Sequence, residues 1–164
     1  MKYVDAKVVF REVPDEITLA LNISHCPVHC PGCHSKYLWD DVGAVLDSDA
    51  LSDLIKRNMG ISCVSFMGGD AEPGMISEFA SFIKENFPSL KVCWYSGRDV
   101  SGDEAKEMFP EQIRNLDYVK FGPYVETLGG LDNPSTNQHF YRILHSQFED
   151  KLEDITASFW NSNI

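Results

Sequence analysis

Apolar and polar residues alternate over Lys7–Phe10 and again over Ile17–Ile23, the period-two pattern of strands with one buried face. Val13-Pro14-Asp15 between them has turn chemistry, which predicts an antiparallel hairpin. The period then changes. Ser48 can cap a helix in which Leu51, Leu54, Ile55 and Met59 share one face. Ser62–Met67 is a short apolar strand ending at Gly68-Gly69, and Pro73 opens a helix with Ile76, Phe79, Ile83 and Phe87 on one side. Leu90–Tyr95 and Asp117–Phe121 read as further strands, ending at Ser96-Gly97 and at Gly122, with a helix over Ser101–Phe109 between them. Phe140–Leu144 is predicted as a last strand, and the tail from Gln147 as helical or partly irregular.

The repeated strand–loop–helix order predicts an α/β fold with a mainly parallel sheet behind the N-terminal hairpin. A closed eightfold β/α barrel needs at least about 200 residues. With 164 residues this chain is expected to form an incomplete, TIM-like barrel or an open sheet. No repeat, low-complexity tract or Pro/Ser-rich linker divides it, so residues 1–164 are read as a single domain.

Composition narrows the possibilities. Hydrophobic residues make up 43%, enough to bury a core, so disorder is not the expectation. A formal charge of −11 repels a phosphate backbone and argues against nucleic-acid binding. No segment approaches the roughly 18–20 apolar residues that span a bilayer, and the N-terminus lacks a secretory pattern, so no membrane role and a cytoplasmic location are expected.

Three of the five cysteines fall within eight positions, in Ser24-His25-Cys26-Pro27-Val28-His29-Cys30-Pro31-Gly32-Cys33-His34-Ser35. In a reducing compartment such a cluster points to metal rather than to disulfides. Three thiolates on one bent loop suit three corners of a [4Fe–4S] cubane, leaving the fourth iron open. A Cys3His zinc site using His25, His29 or His34 is the alternative, and a redox thiol pair at Cys30 and Cys33 a weaker one. Cys63 and Cys93 lie inside apolar strands and read as small buried hydrophobes.

A second motif follows about 35 residues later: Met67-Gly68-Gly69-Asp70-Ala71-Glu72-Pro73. Paired glycines let a backbone approach a ligand closely, and a carboxylate beside them favours an ammonium group. The C-termini of strands are where α/β folds bind ligands.

The C-x3-C-x2-C spacing of Cys26, Cys30 and Cys33 behind an early strand, followed by this glycine-rich turn, resembles the radical S-adenosylmethionine superfamily. Within it the chain is most similar to the activating proteins of anaerobic ribonucleotide reductase. The likeness rests on chain length, on Cys-Pro-Gly-Cys at Cys30–Cys33, and on Trp94-Tyr95-Ser96-Gly97. It also rests on Asp117-Tyr118-Val119-Lys120-Phe121-Gly122-Pro123-Tyr124 and Ser135-Thr136-Asn137-Gln138. It extends from about Ile17 to Arg142.

The resemblance implies a partial barrel of the radical S-adenosylmethionine type, with a [4Fe–4S] cluster on Cys26, Cys30 and Cys33 and S-adenosylmethionine at its open iron. Gly68, Gly69 and Asp70 would meet the methionine end, Ser96 and Gly97 its carboxylate or the ribose, and Tyr37 and Leu38 the adenine. The implied activity is the transfer of a radical to one glycine of the large anaerobic reductase subunit, with a flavodoxin-like electron donor. No general acid, base or nucleophile is called for. Another glycyl radical enzyme as target, or a non-enzymatic zinc-stabilised adaptor, are the alternative readings. Three departures stand out. The residue inserted in Gly-Gly-Asp-Ala-Glu-Pro leaves Asp70 and Glu72 both open as the acidic contact. His139 stands where the family often has arginine, and no glycine precedes Ser135.

Overall fold

The computed structural model describes residues 1–160. Strand β1 (Lys2–Val9) turns through Asp15, whose φ is +63°, and pairs antiparallel with β2 (Thr18–Ile23). This is the expected hairpin, with β1 extended toward the N-terminus. After the cysteine loop come a two-residue strand β3 (Ala44–Val45) and helix α1 (Ser48–Arg57). Alternation of strand and helix continues through β4 (Cys63–Met67), α2 (Pro73–Asn86) and β5 (Lys91–Tyr95). Helices α3 (Gly102–Met108) and α4 (Pro110–Asn115) precede β6 (Tyr118–Phe121). The chain then adds β7 (His139–Leu144) and β8 (Lys151–Asp154).

All eight strands join one sheet in the order β3-β1-β2-β4-β5-β6-β7-β8. The centre, β2-β4-β5-β6, is parallel, while the ladders on both flanks run antiparallel. The sheet is therefore mixed rather than mainly parallel, with three parallel ladders against four antiparallel ones. It is open: among the described residues no ladder joins β3 to β8.

Alternation along each central strand sorts side chains between two unlike faces. Leu19, Leu21, Ile23, Val64, Phe66, Val92, Trp94, Val119 and Phe121 enter one large core. The buried positions of all four helices, such as Leu51, Ile55, Ile76, Phe79, Ile83, Ala105 and Ile113, join that same core. Each large side chain so buried contributes on the order of 1.5–3 kcal/mol. The other face carries Thr18, Ala20, Asn22, Cys63, Ser65, Met67, Cys93, Tyr95, Tyr118 and Lys120; none of α1–α4 covers it, and a short 3-10 helix at Thr156–Phe159 packs there instead. A smaller cluster of Val13, Cys63, Cys93, Tyr118, Leu131 and Phe140 fills its lower part. Cys63 and Cys93 are thus packed interior thiols, and burial pushes both well above the usual range.

Several boundaries differ from the sequence pattern for local reasons. The side chain of Asp47, not Ser48, accepts the amide of Ala50 and caps α1. That helix stops at Arg57, so Met59 leaves the apolar face and is 92% exposed. Helix α4 begins on Pro110, and the tail, expected to be helical or partly irregular from Gln147, forms β8 and then a 3-10 helix at Thr156–Phe159.

At the N-terminal end of the parallel strands, Glu16 is nearly fully buried on the face opposite the α-helices. It forms an ion pair with Lys91 and accepts hydrogen bonds from Ser62 Oγ at 2.6 Å and Tyr118 OH at 3.1 Å. Burial raises its pKa, but the bonds from Lys91, Ser62 and Tyr118 outweigh that and leave it below the usual carboxylate range. A depressed carboxylate stabilises the fold above its unfolded pKa and loses that contribution as pH falls through the folded value. Glu16→Ala should therefore cost about 1–3 kcal/mol at pH 7. Urea denaturation at stepped pH should show the gap between variant and wild type closing below the ordinary glutamate pKa of 4.5.

Candidate functional site

Because β2, β4, β5 and β6 run the same way, their C-terminal ends meet along one edge of the sheet. The cysteine loop leaves β2 there. Its base is stitched by Ser24 N to the Lys2 carbonyl, His25 N to the Asp40 carbonyl and Cys26 N to the Leu38 carbonyl, at 2.9–3.1 Å. Between these anchors the backbone curls through left-handed conformations at His25 (φ +62°), His29 (φ +49°) and Gly32 (φ +78°). Such values are uncommon outside glycine and mark a loop bent by its surroundings. Val28 lies against Gly97, where an added Cβ would stand 3.0 Å from its Cγ2. Gly32 lies similarly against Glu126 in the β6–β7 connection.

Cys26, Cys30 and Cys33 are half-buried free thiols lining one cavity of about 200 Å³. Its other walls include Leu38, Trp39, Met67, Gly68, Asp70, Ser96, Gly97 and Lys120. Each sulfur faces backbone amides. Tyr124 N donates to Cys30 Sγ and Ser35 N to Cys33 Sγ, both at 3.3 Å, and the amides of Val28 and His29 bear on Cys26. Burial raises the Cys26 pKa, those two amides lower it, and the charges of Asp70 and Cys30 raise it further.

The thiols and their amide donors suit a cluster held by sulfur, whose potential and stability depend on N–H···S bonds. A mononuclear zinc site would need four donors converging on one point, whereas a cubane takes its three thiolates at separate corners. His25, His29 and His34 are exposed and do not line the cavity. His29 stacks on Trp39 at 4.7 Å, and His34 Nε2 pairs with the Tyr124 hydroxyl at 3.1 Å.

The glycine turn reaches the same cavity from β4. Gly68 (φ +110°) and Gly69 (φ +99°) both need the conformation that only glycine adopts freely. Space is also tight: a Cβ on Gly68 would lie 3.1 Å from the Ile23 carbonyl oxygen, and one on Gly69 would lie 2.7 Å from Ile76 Cδ1, so a neighbour would have to shift at either position. Asp70 is 2% exposed, and both of its carboxylate oxygens are held from β5. Ser96 Oγ donates to Oδ1 at 2.5 Å and Gly97 N to Oδ2 at 3.0 Å. Arg98 adds an ion pair at 3.6 Å and donates to the Asp70 carbonyl at 2.8 Å. Among the described residues Asp70 is the sole carboxylate on the cavity wall. Glu72 lies outside it, half-exposed and 3.7 Å from the N-terminal ammonium.

The remaining sequence candidates divide. Ser96, Gly97 and Leu38 line the cavity, whereas Tyr37 is 49% exposed and does not. Asn137 and Gln138 brace the β6–β7 connection through the carbonyls of Pro123 and Gly122, and His139 pairs with Asp154 on β8. Lys120 is the residue the sequence reading passed over. It is 7% exposed, and Nζ donates to the carbonyls of Gly122 at 2.6 Å and Ser96 at 3.4 Å. A lysine in the last turn of an apolar strand, on the face opposite the helices, was the available signal. Burial pulls its pKa down to about 8, against the charges of Asp70, Cys30 and Cys26.

A lysine whose folded pKa lies below its unfolded one opposes folding while charged, and the penalty lifts as pH rises between the two values. Lys120→Met should therefore stabilise the metal-free protein at pH 7 by about 1–3 kcal/mol. In guanidinium denaturation that advantage should shrink between pH 8 and 10.5.

Comparison with known proteins gives one match. No curated protein and no solved structure matches the chain. Among the described residues no helix is long and apolar enough to cross a membrane. The sequence model described as 4Fe-4S single cluster domain matches residues 17–144, more than three quarters of the chain, from β2 through the cysteine loop to the end of β7. This span contains every wall of the cysteine cavity. The chain therefore belongs to the 4Fe-4S single cluster domain family and is an iron–sulfur protein.

Proposed function

We propose that this protein is a radical S-adenosylmethionine enzyme that generates a glycyl radical on the large subunit of anaerobic ribonucleotide reductase. The observation that carries the reading is convergence: the three cysteines, Gly68 and Asp70 of the glycine turn, and the Ser96-Gly97 strand end share one cavity, while Gly69 lies behind it against Ile76. Cys26, Cys30 and Cys33 would hold the cluster by three corners, and no other cysteine lines the cavity. A cluster held there would supply the electron for reductive cleavage of S-adenosylmethionine.

The rest of the work falls to binding and orientation. The cavity wall offers one carboxylate, Asp70, and one ammonium, Lys120, the two charges that flank a zwitterionic amino-acid end. Gly68 lets the backbone come close to such a ligand, and Ile23, Leu38 and Trp39 supply apolar wall for a purine. The helices seal one side of the sheet, so a partner polypeptide must approach across the opposite face. A second cavity of about 450 Å³ lies there, sharing Tyr95 with the first and walled also by Leu131, Phe159 and Trp160. The electron donor we propose is a flavodoxin-like protein, and the setting is the cytoplasm.

Anaerobically reconstituted protein given dithionite and S-adenosylmethionine should release 5′-deoxyadenosine, measured by chromatography. Alanine at Cys26, Cys30 or Cys33 should abolish it, and Asp70→Asn should reduce it at least tenfold, roughly the loss of one charge-assisted contact. Glu72→Gln should leave it unchanged. Mixing with the reductase should produce a glycyl doublet in electron paramagnetic resonance. A doublet on a different glycyl radical enzyme alone would reassign the partner, and stoichiometric zinc without iron or sulfide would end the reading.

A further inference from the structure

The buried ammonium of Lys120 has no carboxylate within 4.0 Å among the described residues, since its donors end on main-chain carbonyls. Asp70, the carboxylate on the same cavity wall, is already matched by Arg98. A strand interior would ordinarily place an apolar residue at such a position, because an unpaired buried charge costs several kcal/mol. Its neighbours on that face of β6 and β5, Tyr118, Cys93 and Tyr95, are uncharged, and the Tyr95 ring, 6.0 Å from Nζ, offers a cation–π contact that offsets only part of the cost. What shares the cavity with Lys120 is the set of three thiols, which become anionic when they ligate iron.

We propose that Lys120 sets the reduction potential of the cluster by holding a fixed positive charge beside it in a site of low dielectric. The inference rests on Cys26, Cys30 and Cys33 being the cluster ligands. One-electron reduction, from dithionite or a protein donor, takes the cluster and its thiolates from one charge state to the next more negative one, with no bond made or broken. A nearby cation favours the more negative state. It therefore makes reduction easier, and the gain is large where water does not screen it. The carbonyls of Gly122 and Ser96 fix the ammonium so that it need not reorient when the electron arrives. Lys120 acts here as a positioning charge and touches no reacting atom.

The test is a potentiometric titration of the cluster-loaded protein without S-adenosylmethionine, followed by the resonance signal of the reduced cluster. Lys120→Met and Lys120→Gln should each make reduction about tenfold less favourable or worse, a fall of at least about 59 mV for a one-electron couple. Lys120→Arg, which keeps the charge, should stay near wild type. Equal potentials in wild type and both neutral variants would overturn the proposal. So would an arginine variant shifted as far as the methionine one, because the effect would then be packing. Wild-type protein that takes up no iron and sulfide would instead refute the ligand assignment, and this inference with it. Iron and sulfide content measured before each titration separates the two failures.

Discussion

The arrangement of this site depends on one buried carboxylate. Asp70 follows the glycine turn at the end of β4 but spends both oxygens on the end of β5, at Ser96 Oγ and Gly97 N. It thereby fixes two loop starts that a parallel pair of strands would otherwise leave free to diverge. The consequences spread outward. Gly97 so held gives Val28 of the cysteine loop its packing surface, and Ser96 N is held by the Lys120 carbonyl, which brings β6 into the same unit. A charge-assisted hydrogen bond to a buried group contributes more than a neutral one, and its loss leaves the partner unsatisfied. The cavity is thus organised from beneath by groups bonded mainly to each other.

That economy bears on how the inserted residue in Gly-Gly-Asp-Ala-Glu-Pro is accommodated. The backbone closes a tight turn from the Gly69 carbonyl to Glu72 N, and Pro73 then starts α2. The turn keeps Asp70 facing the cavity and carries Glu72 to the outside, toward the N-terminal ammonium. The sequence left the two acids equivalent, and the direction of one turn separates them.

Legibility followed the reach of each interaction. The strands β2, β4, β5 and β6 and the helices α1 and α2 were readable because alternation and helical spacing are local and each face has a single partner. The cysteine loop and the glycine turn were readable because ligation by one loop and backbone close approach leave local marks. The strand β8 was not: Lys151-Leu152-Glu153-Asp154 has no apolar alternation, and it forms by pairing with an edge already built. A charged edge of this kind also resists pairing with other chains. Met59 was misplaced since only the Asn58 cap, not the periodicity, ends the helix. Asn137 and Gln138 carried a motif-like look, yet they brace a loop through long-range contacts that spacing cannot reveal.

Lys120 escaped for a different reason. Its cost is visible only when both neighbours on the sheet and the emptiness of the opposite side are known, because a lysine at a strand end normally extends into water. Here the face opposite the α-helices folds under the cysteine loop, so the side chain cannot leave and ends on carbonyls instead. A protein selected for stability alone would exchange such a residue for an apolar one of similar volume. At the mouth of β6, across the cavity from Asp70 and beside three thiols, Lys120 places a positive charge where the proposed cluster would sit.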